Sequence, residues 1–138
     1  MSDELRGANP VCFAIGFTPA QRARALGYLR HLGYYPEEYS NGFDALHALK
    51  DRRPHSVLID GGLSEKNATA LDLIASIRAM KGIKPRIIVC VTDYKSAVAQ
   101  KSMELRADAL VPGPFNRISF DIVFSLPALP AEARTSDQ

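Results

Sequence analysis

Apolar runs of strand length alternate with helix-period segments along this chain. Val11 to Ile15 is a continuous apolar run, the length of a buried strand. Thr18-Pro19 follows, a hydroxyl cap with proline in the first helical turn. Ala25, Leu26, Leu29 and Leu32 then mark one helical face, stopped by Gly33. Tyr34 to Tyr39 reads as a short strand. Its Pro36 cannot donate to a ladder, which assigns it to a sheet edge. Asn41-Gly42 opens a second helix with Ala45, Leu46 and Leu49 inward, and after Pro54 comes the strand Ser56 to Asp60. A third helix is expected over about 67–80, with Leu71, Ile74 and Ile77 on one side and Leu73 beside them. Gly82 and Pro85 separate it from the run Ile87 to Val91. A weakly patterned helix, Lys95 to Leu105, has Ala97, Val98 and Leu105 as its expected inner face, and Ala109-Leu110-Val111 is a last short strand.

Strands joined by single helices pair in parallel through right-handed crossovers. Five of them make a three-layer α/β sandwich. The long apolar runs of the first, third and fourth strands belong in the centre. The shorter second and fifth then lie at the edges, an order of 2-1-3-4-5. Residues 1–9 read as an N-terminal extension, 10–126 as the domain and 127–138 as a C-terminal tail.

Composition narrows the function classes. One domain with a full core suits 138 residues that are 46% hydrophobic. A net charge of +2 is too balanced for a nucleic-acid surface. Arg22, Arg24 and Arg30 share one expected helix, where a solvated face competes with an anionic partner or a cyclic nucleotide. No apolar stretch approaches the ~20 residues needed to span a bilayer, and the N-terminus lacks a secretory signal. Cys12 and Cys90 sit in strand-like runs without a CxxC, so buried free thiols and a reducing cytoplasm are expected. His31, His47 and His55 are scattered, without ligand spacing, and are expected to be exposed.

The chemistry concentrates at one residue. Asp60 ends a β-branched apolar strand and is followed by Gly61-Gly62. A strand buried on both faces has no use for a charge, so Asp60 belongs where the sheet ends and a cleft opens.

Several fragments in order give the chain a likeness. They are Leu32-Gly33-Tyr34, Asn41-Gly42-Phe43-Asp44-Ala45-Leu46, Val57-Leu58-Ile59-Asp60, Ile77-Arg78, Val91-Thr92 and Pro114-Phe115. On these, residues 10–126 resemble a response-regulator receiver domain of the chemotaxis-regulator type, a flavodoxin-like fold. The resemblance implies a phosphoacceptor at Asp60 and a phosphate-binding hydroxyl at Thr92. It also implies two magnesium-holding acids after the first strand and a lysine after the fifth. Those three positions fall here on Gly16, Phe17 and Gly113, and the family's aromatic switch position falls on Leu110. The loop Gly61 to Asn67 is about two residues longer than the family pattern and lacks its proline and glycine.

These departures have a physical consequence. Phosphoryl transfer is catalysed by positioning and by neutralising charge on the transferred group. Losing one such contact costs on the order of 10²–10³ in rate. The likeness therefore implies a degenerate site, with weak magnesium binding at most and no other cofactor. Asp93 is a candidate substitute acid, against the plainer reading as an N-cap acid for the next helix. Were it to approach Asp60, one of the two pKa values would rise. Glu65 and Lys66 are further candidates from the longer loop. Thr92 has two readings, helix cap or retained site hydroxyl, and Gly113-Pro114 corresponds to a bond often cis in the family.

Past Phe115, the residues Ile118, Phe120, Ile122, Val123, Phe124 and Leu126 crowd into a short piece stopped by Pro127 and Pro130. A segment apolar nearly all round is buried or covers a partner. The expected last element is a short or irregular helix. Leu110, Pro114, Phe115, Ile118, Phe120, Val123 and Phe124 form the expected interaction surface, for a homodimer, a histidine kinase or another signalling protein. Three functions follow from these readings. The first is a pseudo-receiver acting by protein contact, and the second a genuine receiver phosphorylated at Asp60. The third is a flavodoxin-like nucleotide or flavin binder, which Phe17 would obstruct. No constellation supports hydrolase or transferase chemistry.

Overall fold

The computed structural model describes residues 9–65, 68–112 and 116–125. In chain order they form β1 (Val11–Ile15), α1 (Pro19–His31), β2 (Tyr35–Tyr39), α2 (Gly42–Arg52) and β3 (Ser56–Asp60). Then come α3 (Ala70–Ala79), β4 (Arg86–Val91), α4 (Ala97–Glu104), β5 (Ala109–Pro112) and α5 (Arg117–Ser125). The five strands are all parallel, in the order β2-β1-β3-β4-β5, as the apolar runs predict. The outer strands β2 and β5 each contain a proline, Pro36 and Pro112. Among the described residues no helix is long and apolar enough to cross a membrane.

Alternation along the strands divides the core in two. Phe13, Ile15, Val57, Ile59, Ile87 and Val89 face one side, against Ala45 and Leu49 of α2 and Leu73, Ile74 and Ile77 of α3. Cys12, Ala14, Leu58, Ile88 and Cys90 face the other, against Ala25 and Leu29 of α1 and Phe120 and Val123 of α5. The aromatic rings fix α5: Phe120 stacks on Phe124 at 5.7 Å and meets Tyr28 edge-on at 5.1 Å. Both cysteines are buried free thiols, and His31, His47 and His55 are exposed.

Caps set the helix boundaries. Thr18 and Asn41 cap α1 and α2, accepting from the N–H groups of Gln21 and Asp44. The third helix begins later than the apolar spacing predicts. Thr69 and Asp72 close a reciprocal capping box there, and Ser64–Glu65 pairs antiparallel with Ala68–Thr69 in a small hairpin. The fourth helix is shorter than expected, because Ser96 caps it by accepting from Ala99 N–H. Its buried residues are Ala99 and Ser102, with Val98 and Leu105 half-buried. Ala97, expected inside, is exposed in the first turn.

The last element is a regular nine-residue helix. Phe120 and Val123, expected on an interaction surface, are instead buried, because their side of α5 lies on the sheet. Its outer side carries Ile118, 71% exposed, and Ile122, 57% exposed, one helical turn apart. The expectations for Gly113, Pro114, Phe115, Lys66 and residues 127–138 lie outside the described residues, as do all but the last residue of 1–9.

At the N-terminal end of the sheet a buried charge pair ties α3 to the strands. Arg78 donates to Asp108 Oδ2 at 2.9 Å and to the carbonyls of Pro85 and Arg106. The same Asp108 oxygen accepts from Ile87 N–H at 2.8 Å, so both sides of the pair are hydrogen-bonded.

Candidate functional site

The site is assembled at the opposite, C-terminal end of the strands. β3 and β4 stay in register to their tips, with Asp60 beside Cys90. Gly61 N–H then donates to Cys90 O at 2.7 Å. A Cβ on Gly61 would stand 2.6 Å from that oxygen, so the crossing requires glycine. This contact fixes where the chain leaves β3, and so where Asp60 stands. The half-buried Asp60 carboxylate accepts from Gly62 N–H at 3.0 Å through Oδ1. Burial raises its pKa above the ordinary carboxylate value, and the Gly62 hydrogen bond lowers it in part. Burial likewise pushes the Cys90 thiol well up, with the Asp60 charge adding to the effect.

Asp60 opens on a cavity of about 220 Å³ whose described lining also includes Gly61, Gly62, Cys90, Val91, Thr92, Ser96 and Val98. Acid and hydroxyl are thus brought to one place, as expected. Thr92 is exposed and is not the helix cap, since Ser96 fills that role. An apolar groove of about 370 Å³ adjoins it, sharing Gly61, Gly62 and Val98 and continuing to Leu63 and Leu71.

The two positions on which the family's acids would fall, Gly16 and Phe17, are packed by apolar side chains. Gly16 has φ +86°, a backbone that residues with side chains rarely adopt, and its N–H donates to Tyr39 O. Leu63 lies directly over it, and a Cβ added at Gly16 would meet Leu63 Cδ1 at 2.9 Å. Phe17 is 6% exposed and packs in the core layer of Cys12, Ala14, Leu58 and Phe120. It therefore lies inside the fold rather than across the mouth of a phosphate loop. The Thr18 hydroxyl is already used as the α1 cap.

The expected substitutes do not complete a site. Asp93 is exposed, is not the N-cap of α4, and turns back on its own loop to accept from Lys95 N–H at 2.9 Å. Ser96 caps α4 in its place because it stands immediately before Ala97. Leu110, at the switch position, is half-buried beside Val89. The Glu65 backbone lies in the hairpin, and its side chain is outside the described residues. Leu63 is the residue that sequence reasoning missed. It was legible as the one apolar residue between Gly61 and Asn67.

Magnesium needs octahedral oxygen ligands, with carboxylates among them. Asp60 is the one carboxylate among the described residues that line this cavity. No group of three or more His, Cys, Asp or Glu placed to hold a metal occurs among the described residues. The donor set does not fit the ion that the family likeness implies.

No family model and no curated protein matches the sequence. Solved structures do match. One is the receiver domain of a sensor histidine kinase from Pseudomonas aeruginosa PAO1, which holds a magnesium ion in its active site cleft. It aligns with TM-score 0.74 and 18% identity over 83% of this chain and 93% of that one. The chemotaxis response regulator CheY4 of Vibrio cholerae aligns with TM-score 0.73 and 18% identity, over 84% and 96%. A CheY-like receiver domain from Methylobacillus flagellatus gives 0.73 and 20%, over 84% and 96%. At these identities the likeness is one of fold.

Proposed function

We propose that this chain, whose fold is that of response-regulator receiver domains, is a receiver-like module of two-component signalling. It acts in the cytoplasm by protein contact, without an aspartyl-phosphate switch. One observation carries the reading: Leu63 over Gly16, with Phe17 in the core, occupies the place of the two metal-holding acids. Among the described residues Asp60 accepts one backbone N–H, from Gly62, and burial raises its pKa, as it does for a carboxylate with no cation beside it. Magnesium binding is weak at most. The partner, a histidine kinase or another signalling protein, meets the outer side of α5, where Ile118 and Ile122 are exposed without core contacts to explain them. A second copy of the chain is the alternative occupant of that face.

Incubation with acetyl phosphate and magnesium, read by intact mass, tests the reading. No phosphate adduct is expected. A stoichiometric adduct that disappears in Asp60→Asn overturns it in favour of a phosphorylated receiver. That second reading has one observation behind it, the shared cavity of Asp60 and Thr92.

A further inference from the structure

We propose that the Asp60 cleft and the apolar groove beside it form one socket for a lysine side chain, presented by a partner protein between apolar neighbours. The inference rests on the reading of Asp60 as an unphosphorylated carboxylate, and adds a contact at the strand ends to the one on α5. Charge complementarity selects the occupant. Asp60 is the one carboxylate among the described residues of the cleft, and the described lining of the two spaces contains no basic residue. Its Oδ1 accepts from Gly62 N–H, and no described residue donates to Oδ2. A half-buried carboxylate has lost hydration, and an ammonium beside it supplies charge-assisted hydrogen bonds in exchange. The ammonium is a point donor that a single free oxygen can meet, whereas a guanidinium fork matches both oxygens at once. Thr92, exposed on the same cleft, offers its hydroxyl as a second acceptor.

The groove supplies what the cleft lacks. It shares Gly61, Gly62 and Val98 with the cleft, encloses about 370 Å³, and runs on past Leu63 to Leu71. Leu71 and Val98 are only half-buried, so apolar surface remains open on its walls. A lysine carries four methylenes below its ammonium, and these lie along such a wall while the charged end reaches the acid. The rest of the groove takes an apolar neighbour from the same partner. Two other occupants fit less well. Asp60 repels an anion, and the N-terminal ends of α3 and α4 do not offset it, because Thr69 and Ser96 already hold first-turn N–H groups there. A metal ion meets one described carboxylate here and gains nothing from the groove.

The probes are acetyl-Leu-Lys-Leu-amide, the same peptide acetylated on its lysine Nζ, and acetyl-Gly-Lys-Gly-amide. Each is titrated into the full chain and followed by two-dimensional amide NMR. The leucine-flanked lysine should give saturable shifts at Gly61, Gly62, Thr92, Leu71 and Val98 at millimolar peptide. Acetylation of the lysine should weaken it about tenfold, and so should Asp60→Asn. The glycine-flanked peptide should bind more weakly and leave Leu71 unshifted. Leu71→Ala should weaken the leucine-flanked peptide alone. Asp51→Asn, which removes the same charge from an exposed position on α2, should change nothing. Equal binding of the acetylated peptide, or binding that survives Asp60→Asn, overturns the proposal. So do shifts that appear only in Lys66→Gln, because the chain then fills its own socket. The dispersion of each variant's spectrum separates lost binding from lost folding. Acetyl phosphate separates the two readings: an adduct at Asp60 ends both, whereas no adduct and no peptide shifts end this inference alone.

Discussion

At the N-terminal end of the sheet, Arg78 reaches Asp108 and two carbonyls, and Asp108 in turn accepts from the strand backbone. At the C-terminal end, Asp60 has one backbone donor among the described residues, Gly62, while Gly16 packs against Leu63 and Phe17 lies in the core. A receiver does its phosphate chemistry at the second of these ends. Here the paired, satisfied charge is at the first. Buried ions persist when each has its partner and its hydrogen bonds, and burial otherwise shifts the group toward its neutral form. The comparison teaches that one end of the sheet is held by a hydrogen-bonded ion pair, whereas the other combines a lone described carboxylate with apolar packing at Gly16 and Phe17.

The comparison can be broken in graded steps. The largest effect is expected from Arg78→Ala, which removes the guanidinium from the buried Asp108 carboxylate. Urea denaturation should show a loss of about 3–5 kcal/mol. A loss under about 1 kcal/mol would mean that the pair is dispensable, as surface pairs are. Next is Gly16→Asp, the simplest attempt to restore an acid. The left-handed backbone and the clash with Leu63 should cost about 1–3 kcal/mol, without any gain in magnesium affinity by calorimetry. Adding Leu63→Ala should recover the steric part of the clash, measurable as coupling in a double-mutant cycle.

A smaller effect concerns protonation. A carboxyl whose folded pKa is raised is penalised in the fold once it ionises. The penalty is absent while Asp60 is protonated in both states, and it grows as pH rises through the unfolded and then the folded pKa. Asp60→Asn should therefore raise the urea midpoint at pH 7, and the gain should vanish below the ordinary carboxylate range. A midpoint that falls at pH 7 would mean that Asp60 is held by a cation after all. The smallest change in stability is expected for Ile118→Glu and Ile122→Glu, within about 0.5 kcal/mol of the parent. Both should abolish co-purification of the partner, and light scattering would reveal whether a dimer is lost with it.

Much of the fold was legible because strand and helix periods are local. Val11–Ile15, the Asp60 strand and the helix face that runs from Ala25 through Leu29 predict the parallel sheet and its order. The helix starts at Ala70 and Ala97 differ from expectation because single hydroxyls, Thr69 and Ser96, set them. In the site, the positions of Asp60 and Thr92 followed from strand ends. The apolar cover did not, because Leu63 meets Gly16 across the tips of two strands, a contact with no periodic trace in either segment. The burial of Phe120 and Val123 was equally hidden, because an all-apolar segment does not reveal which side meets the sheet.

Both outer strands contain a proline, and at Pro36 the ring replaces the hydrogen that a newcomer strand would need. Growth of the sheet from one molecule into the next is thereby discouraged at the β2 margin. Association at that side is left to helices, which meet in discrete, saturable pairs rather than in open-ended ribbons. A concentrated sample of this protein should stay free of thioflavin-positive fibres even when its helical faces are engaged.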